Sequence, residues 1–279
     1  SKDLIIDVKL SNYVGPGQKK TRYSPDSPQE LFDPKSKERV SNDCNVCSGY
    51  TPLSRLERIV RDVEKYLTSK SYWNHYRDTG FDVKIIGIRD GGKISLFVNI
   101  PFLANKIYSR DGYLSRVASV TKDIRQFLKP YSDIEIDLNV NPEKDSGRSY
   151  MTATGSVADT GDVGVVGRGN RLNGLITPMR PMSIEASSGK NPIDHTGKLY
   201  GLASQAIADK IWKETGIENQ VHLVTFKEYP VTRPQSVLVY LHSLIDQENV
   251  NKIETISRNI LDGIPGMTDK MIADGYVMW

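Results

Sequence analysis

One stretch of the sequence, residues 166–192, reads VGRGNRLNGLITPMRPMSIEASSGKNP and carries four glycines, three arginines, one lysine and a single carboxylate. It has neither the 3.6-residue period of a helix nor the alternation of a strand. Extended to 161–198, it gathers Gly161, Gly164, Gly167, Gly169, Gly174, Gly189 and Gly197 around Arg168, Arg171, Arg180, Lys190 and Lys198. Glycine lets backbone N–H groups converge on an anion without a Cβ in the way. Gly189-Lys190-Asn191-Pro192 just before a helix would aim that helix's first amides at the same anion. Each charge-assisted bond to phosphate is worth about 1.5–3 kcal/mol, so several together suit a polyphosphate. The plain alternative is a solvated surface loop with incidental charge. Known nucleotide patterns fail. A P-loop would need glycine where Ile184 stands and Ser or Thr where Asn191 stands, and a dinucleotide fingerprint from Gly167 has Leu172 in place of its third glycine.

Around this loop stand other candidates. Asp162 lies at its front and Asp43 in SNDCNVCSGYTP. Carboxylates beside a polyphosphate hold metal or a substrate ammonium, although a loop aspartate also serves turns and N-caps. His195 sits in the last turn of the loop as a further phosphate contact, whereas His222 and His242 fall in strands and read as structural. Cys44-Asn45-Val46-Cys47 lacks a second pair and a nearby histidine, so it reads as structural thiols lining a loop rather than a zinc site. No Ser-His-Asp or Cys-His order supports covalent catalysis.

The elements that must hold these groups follow from periodicity. Residues 3–10, 82–100, 133–140, 149–158, 219–230 and 236–242 read as strands, the second of these as a hairpin turning at Asp90-Gly91-Gly92. Helices are expected at 51–70, 113–128, 196–214 and 248–261, and residues 11–50 as mostly loop. The aromatic run SYWNHYRD, 71–78, reads as a packed helix end. The helix–strand–strand order recurs without a residue-level repeat. The economical packing is α+β, with helices over one face of short, largely antiparallel sheets.

Composition bounds the rest. The 279 residues are 38% hydrophobic and 25% charged, which is ordinary globular make-up for two or three domains. A net charge of +3 is too mild for a dedicated nucleic-acid binder. No apolar run approaches a membrane span, no secretory core opens the chain, and two cysteines suit a reducing, cytoplasmic setting.

The run GDVGVVGRGNRLNGLITPMRPMSIEASSGKNPIDHTGKLY, 161–200, resembles the signature loop of the S-adenosylmethionine synthetase family in its archaeal form. SKERVSNDCNVCSGYTPLSRLER is similar to that family's Asn-Asp segment, and DVKIIGIRDGGKISLFVNI to its first hairpin. The likeness runs collinearly to about residue 245. It implies attack of the methionine sulfur on C5′ of ATP, departure of the whole triphosphate and its hydrolysis to diphosphate and phosphate, assisted by Mg²⁺ and K⁺. By position, Asp43 and Asp162 would hold methionine. Arg168 and Lys190 would hold the triphosphate, with Arg171, His195 and Lys198 as further phosphate contacts and Asp194 as a metal carboxylate. Lys190, Arg168 and Asp162 carry the catalytic assignment.

The resemblance also implies a pseudo-threefold arrangement of two-layer α/β modules built from discontinuous segments, with active sites between two subunits. The modules would be 52–157, then 1–40 with 158–196 as an incomplete central module carrying the polyphosphate loop, and 41–51 with 197–279. The family's Gly-His-Pro-Asp motif does not occur in these residues. The expectation is therefore an enzyme completed by an N-terminal part or a complementary chain. The alternative is a catalytically incomplete relative that binds ATP or polyphosphate as a regulatory subunit. Expected partners are ATP, methionine and a second copy or the complementary chain, with neither nucleic acid nor membrane.

Overall fold

The computed structural model describes residues 40–142, 147–156, 169–193 and 195–274. The strand expected at 3–10 lies outside them. Two cores organise the described chain. The first is built from helix α1 (Arg55–Thr68), helix α2 (Lys70–His75), the hairpin β2 (Lys84–Asp90) and β3 (Lys93–Asn99), helix α3 (Arg110–Phe127) and strand β5 (Glu135–Val140), with the short strand β4 (Phe102–Leu103) beside it.

The helix starts are written in serines. Ser54, Ser69 and Ser109 cap α1, α2 and α3. At α1 the Glu57 side chain returns the favour by accepting the Ser54 N–H at 2.6 Å, a full capping box. Ile59, Val63 and Leu67 form the buried stripe of α1, spaced four apart. The α2 end packs Tyr72 into the core against Tyr66 and Tyr76, the packed helix end expected at 71–78. Gly91, at φ +54°, turns the β2–β3 hairpin where the Asp-Gly-Gly signal placed it.

That sheet runs β2-β3-β5, and its β3–β5 pair is parallel. The expectation was of largely antiparallel sheets, and this pair is the parallel exception. The 18-residue helix α3 lies between β3 and β5 in sequence and supplies the crossover that parallel neighbours require.

The second core joins strand β1 (Asn45–Thr51), helix α4 (Thr196–Thr215), strands β7 (Asn219–Thr225) and β8 (Ser236–Leu241), helix α5 (Gln247–Asp262) and helix α6 (Met267–Asp274). The sheet is antiparallel, in the order β1-β7-β8.

β1 is a correction. Residues 45–50 read as loop and Thr51 as the start of the first helix, yet all seven pair with β7. Their inward face is Asn45, Cys47, Gly49 and Thr51, small because α4 presses directly on it. A Cβ on Gly49 would lie 2.4 Å from the Gln205 backbone nitrogen. The strand expected at 149–158 reduces, within the described residues, to β6 (Met151–Thr152), since its partner β4 is only two residues long. The strand expected at 219–230 ends at Thr225. Among the described residues no helix is long and apolar enough to cross a membrane.

Candidate active site

The loop 169–193 lies between the two cores and is fastened to both. On one side the Asn170 amide donates to the Glu64 carboxylate on α1 at 3.1 Å. Arg180 pairs with the buried Glu57 at 3.4 Å and stacks 4.3 Å over the Tyr50 ring, whose hydroxyl donates to the same Glu57 at 2.8 Å. On the other side Ile184 N–H donates to Val46 O at 3.1 Å, and the Ser183 hydroxyl accepts from Ser48 N–H at 2.9 Å. The loop thus adds a short stretch to the free edge of β1.

Arg171 draws the loop together from inside. It is 9% exposed, and its guanidinium donates to the carbonyls of Gly169, Ser183 and Ile184 at 2.7–3.1 Å. Of the cations counted in the sequence, Arg171 and Arg180 are therefore committed to the protein itself. Gly174 (φ +84°) and Gly189 (φ +77°) occupy the left-handed backbone that the loop's turns require.

The remaining described cations of the loop, Lys190 and Lys198, lie near the first turn of α4. His195 caps this helix, its Nδ1 accepting from Gly197 N–H at 3.1 Å, which leaves the ring proton of the neutral imidazole on Nε2. Asn42 Oδ1 accepts from Thr196 N–H at 3.2 Å. The carbonyl of Asp43 accepts from the hydroxyls of Ser41 at 2.6 Å and Thr196 at 3.4 Å. Segment 41–43 and the end of the loop therefore meet at one helix N-terminus, whose first amides are capped by Asn42 and His195 and whose macrodipole favours negative charge. Asp43 keeps its carboxylate exposed, with Cys44 N–H donating to it at 2.8 Å.

Lys190 enters the same corner. Its side chain is 11% exposed and pairs with Glu185 at 3.3 Å. A Cβ on Gly197 would meet Lys190 Cε and Glu185 Oε2 at 3.1 Å and Asn45 Nδ2 at 3.0 Å, so glycine is what lets these three side chains pack on the helix. Lys198, one residue on, is 5% exposed, and its ammonium makes no hydrogen bond or ion pair among the described residues. Burial, then the charge of Lys190, holds its ammonium below the usual lysine range. The hydroxyl of Ser187, 1% exposed, likewise has no partner among the described residues. Two partly desolvated cations at the positive end of the α4 dipole form a site short of an anion.

The structure thus brings Asp43, Lys190, His195 and Lys198 together. Asp162, Arg168 and Asp194 lie outside the described residues. Among the described residues no three metal-ligating side chains cluster.

Two contributors, Glu185 and Asn45, were missed in the sequence, and Cys47, read as a structural thiol, was placed in the wrong element. Glu185 is the single carboxylate of the 166–192 stretch, a signal that was visible but unassigned. Asn45 orients it, donating at 3.3 Å. Cys47 lies on β1 rather than in a loop, with no exposed surface, its sulfur 3.6 Å from Thr196 O. Burial pushes its thiol up to about 12, so it is a packing group under the helix start and not a nucleophile.

A cleft of about 330 Å³ lies between the cores, lined by Arg58, Arg61 and Lys65 of α1, Leu172 and Asn173 of the loop, and Gln205 of α4, and includes none of the site residues. A larger cavity of about 680 Å³ between β8 and α5 contains none of the site residues.

A family model described as S-adenosylmethionine synthetase (AdoMet synthetase) matches residues 10–275. The S-adenosylmethionine synthase of Aeropyrum pernix is 37% identical over 251 residues, covering 87% of this chain and 62% of that protein. That of Natronomonas pharaonis is 34% identical over 281 residues, covering 97% and 66%. The probable S-adenosylmethionine synthase of Aquifex aeolicus is 32% identical over 252 residues, covering 88% and 63%. The chain spans about three fifths of the length of the first of these curated relatives.

Proposed function

Because the chain belongs to the S-adenosylmethionine synthetase family, we propose that the protein makes S-adenosylmethionine, diphosphate and phosphate from ATP, methionine and water. The observation that carries this reading is the pair of partly desolvated lysines, Lys190 at the end of the loop and Lys198 on the first turn of α4.

The chemistry asks little covalent help of the protein. The methionine sulfur donates its lone pair to C5′, an S–C bond forms, and the C5′–O bond breaks with its electrons leaving on the triphosphate. Negative charge therefore grows on the departing oxygen, and fixed cations placed there in advance stabilise the transition state more than the ground state. Lys190 and Lys198 stand in that role, with Arg168 assigned to it by sequence position. His195 offers its Nε2 proton at the same corner, and Asp43, its carboxylate exposed, is the group for the methionine ammonium, with Asp162 assigned beside it. Arg171 serves the site by holding the loop closed.

Mg²⁺ and K⁺ enter as counter-ions of ATP and triphosphate. The described residues do not by themselves form a metal cage, and Asp194, assigned to the metal by sequence position, lies outside them.

The three-module organisation, with boundaries at 52–157, at 1–40 with 158–196, and at 41–51 with 197–279, belongs to the same proposal, as does pseudo-threefold symmetry. So does association with a second copy or a complementary chain. Support for association comes from apolar side chains left open on two sheets, Ile86 and Ile88 on β2 and Leu238 and Tyr240 on β8.

The test is joint detection of S-adenosylmethionine and phosphate from ATP, methionine and Mg²⁺, on the purified protein together with whatever chain co-purifies. Both products are expected. ATP or triphosphate binding with no S-adenosylmethionine would instead identify a polyphosphate-binding relative.

A pH dependence follows from Lys198. Its folded-state ammonium loses its proton below the usual lysine pKa. A bound anion favours the charged form and restores the proton. Affinity for inorganic tripolyphosphate should therefore fall as pH rises through that depressed value, and binding there should take up protons. Calorimetric titration in two buffers of different ionisation enthalpy reads the uptake. Proton release, or affinity flat across the alkaline range, would contradict the assignment of Lys198.

A further inference from the structure

Resting on the anion-cradle reading above, we propose that Glu185 is a displaceable counter-ion: it neutralises Lys190 while the cradle is empty and yields it when a polyphosphate arrives. The geometry is specific. Glu185 Oε2 lies 3.3 Å from Lys190 Nζ and accepts from Asn45 Nδ2 at 3.3 Å. Among the described residues it is the one carboxylate paired with Lys190, in a corner that also holds the buried Lys198 at the N-terminus of a 20-residue helix. Without it, Lys190 would stand near a second ammonium and the positive end of the helix dipole with no ion-pair partner among the described residues.

The same carboxylate cannot remain against a triphosphate. It would stand among several negative phosphate oxygens, competing for the lysine they need. Glu185 is 27% exposed while Lys190 is 11% exposed, so the acid has solvent to move into and the lysine does not. The carboxylate is the half of the pair that leaves. Two consequences follow. The empty loop is held in shape by a pair that costs little to break, and binding of polyphosphate is weakened by the need to break it. In an enzyme that must release diphosphate and phosphate each turn, that weakening speeds product departure. Glu185 is thus a positioning residue for Lys190 and a regulator of product release.

The test compares inorganic tripolyphosphate binding by the full-length wild type, Glu185→Gln, Glu185→Asp and Lys190→Met, with steady-state kinetics alongside. Glutamine keeps the size of the side chain and an acceptor for Asn45 but removes the charge. Glu185→Gln should bind tripolyphosphate about tenfold more tightly at low salt, and the gap should close near 1 M salt. Its KM for ATP and its kcat should fall together, whereas a merely structural residue would raise KM. Glu185→Asp should behave as wild type. Unchanged or weaker binding by Glu185→Gln, with wild type binding well and Lys190→Met poorly, overturns this inference alone. No binding by the wild type, or full binding by Lys190→Met, overturns the cradle reading and this inference with it.

Discussion

Lys190→Met is expected to lower kcat/KM for ATP by about 10²–10³-fold while leaving the fold intact, the usual cost of deleting one preorganised donor at a developing oxyanion. Methionine matches the lysine stem in length and keeps the packing of that stem against Gly197, so the change isolates the charge. Among the described residues the ammonium's one protein partner is Glu185, which keeps its bond from Asn45 when the lysine is gone. Stability should therefore move by no more than about 1 kcal/mol, as for other partly exposed ion pairs. Steady-state rates of S-adenosylmethionine formation, with a thermal melt on the same preparation, check both halves. If KM alone rises a few-fold while kcat holds, Lys190 binds ATP equally in ground and transition states and has no catalytic share.

The second large effect is structural. Gly49→Ala should cost about 3 kcal/mol or more, at the upper end for added bulk in a packed interior. The new methyl would stand 2.4–2.5 Å from backbone atoms of Ser204 and Gln205, which no rotamer change can clear. Relief requires α4 to lift away from β1, and the first turn of α4 carries the anion corner. Activity should fall with stability. Gly91→Ala is the control, because nothing lies within 4 Å of its added carbon. Only the φ of +54° opposes it, at about 1 kcal/mol. Urea midpoints of the two variants should separate clearly; equal midpoints would mean that the strand–helix contact at Gly49 is not close.

The same contact explains what was hidden in the sequence. Helices α1, α3, α4 and α5 were legible because their caps and apolar stripes are local signals. The β2–β3 hairpin was legible because Asp-Gly-Gly fixes its turn. β1 was not, since a strand pressed against a helix backbone selects Asn45, Cys47, Gly49 and Thr51 for smallness, and small polar residues resemble loop. The parallel β3–β5 pairing was not either, because nothing in two strand sequences states which neighbour they take.

At the site, the convergence of Asp43, Lys190, His195 and Lys198 was legible from residue types and the helix that follows. The commitments of Arg171 and Arg180 were not. A count of cations does not distinguish one aimed at a ligand from one held by carbonyls within the loop or by Glu57, 123 positions earlier in the chain. Glu185 escaped for the complementary reason: its meaning lies in the lysine it opposes.

The two cysteines turn the molecule into its own gauge. Cys44 stands in solvent, whereas the Cys47 sulfur is sealed under the carbonyls of Thr196 and Gly197 with its acidity pushed to about 12. An alkylating reagent should therefore tag the first at once and the second only in the moments when strand and helix part. The ratio of singly to doubly tagged mass would then clock the breathing of that seam without any engineered dye.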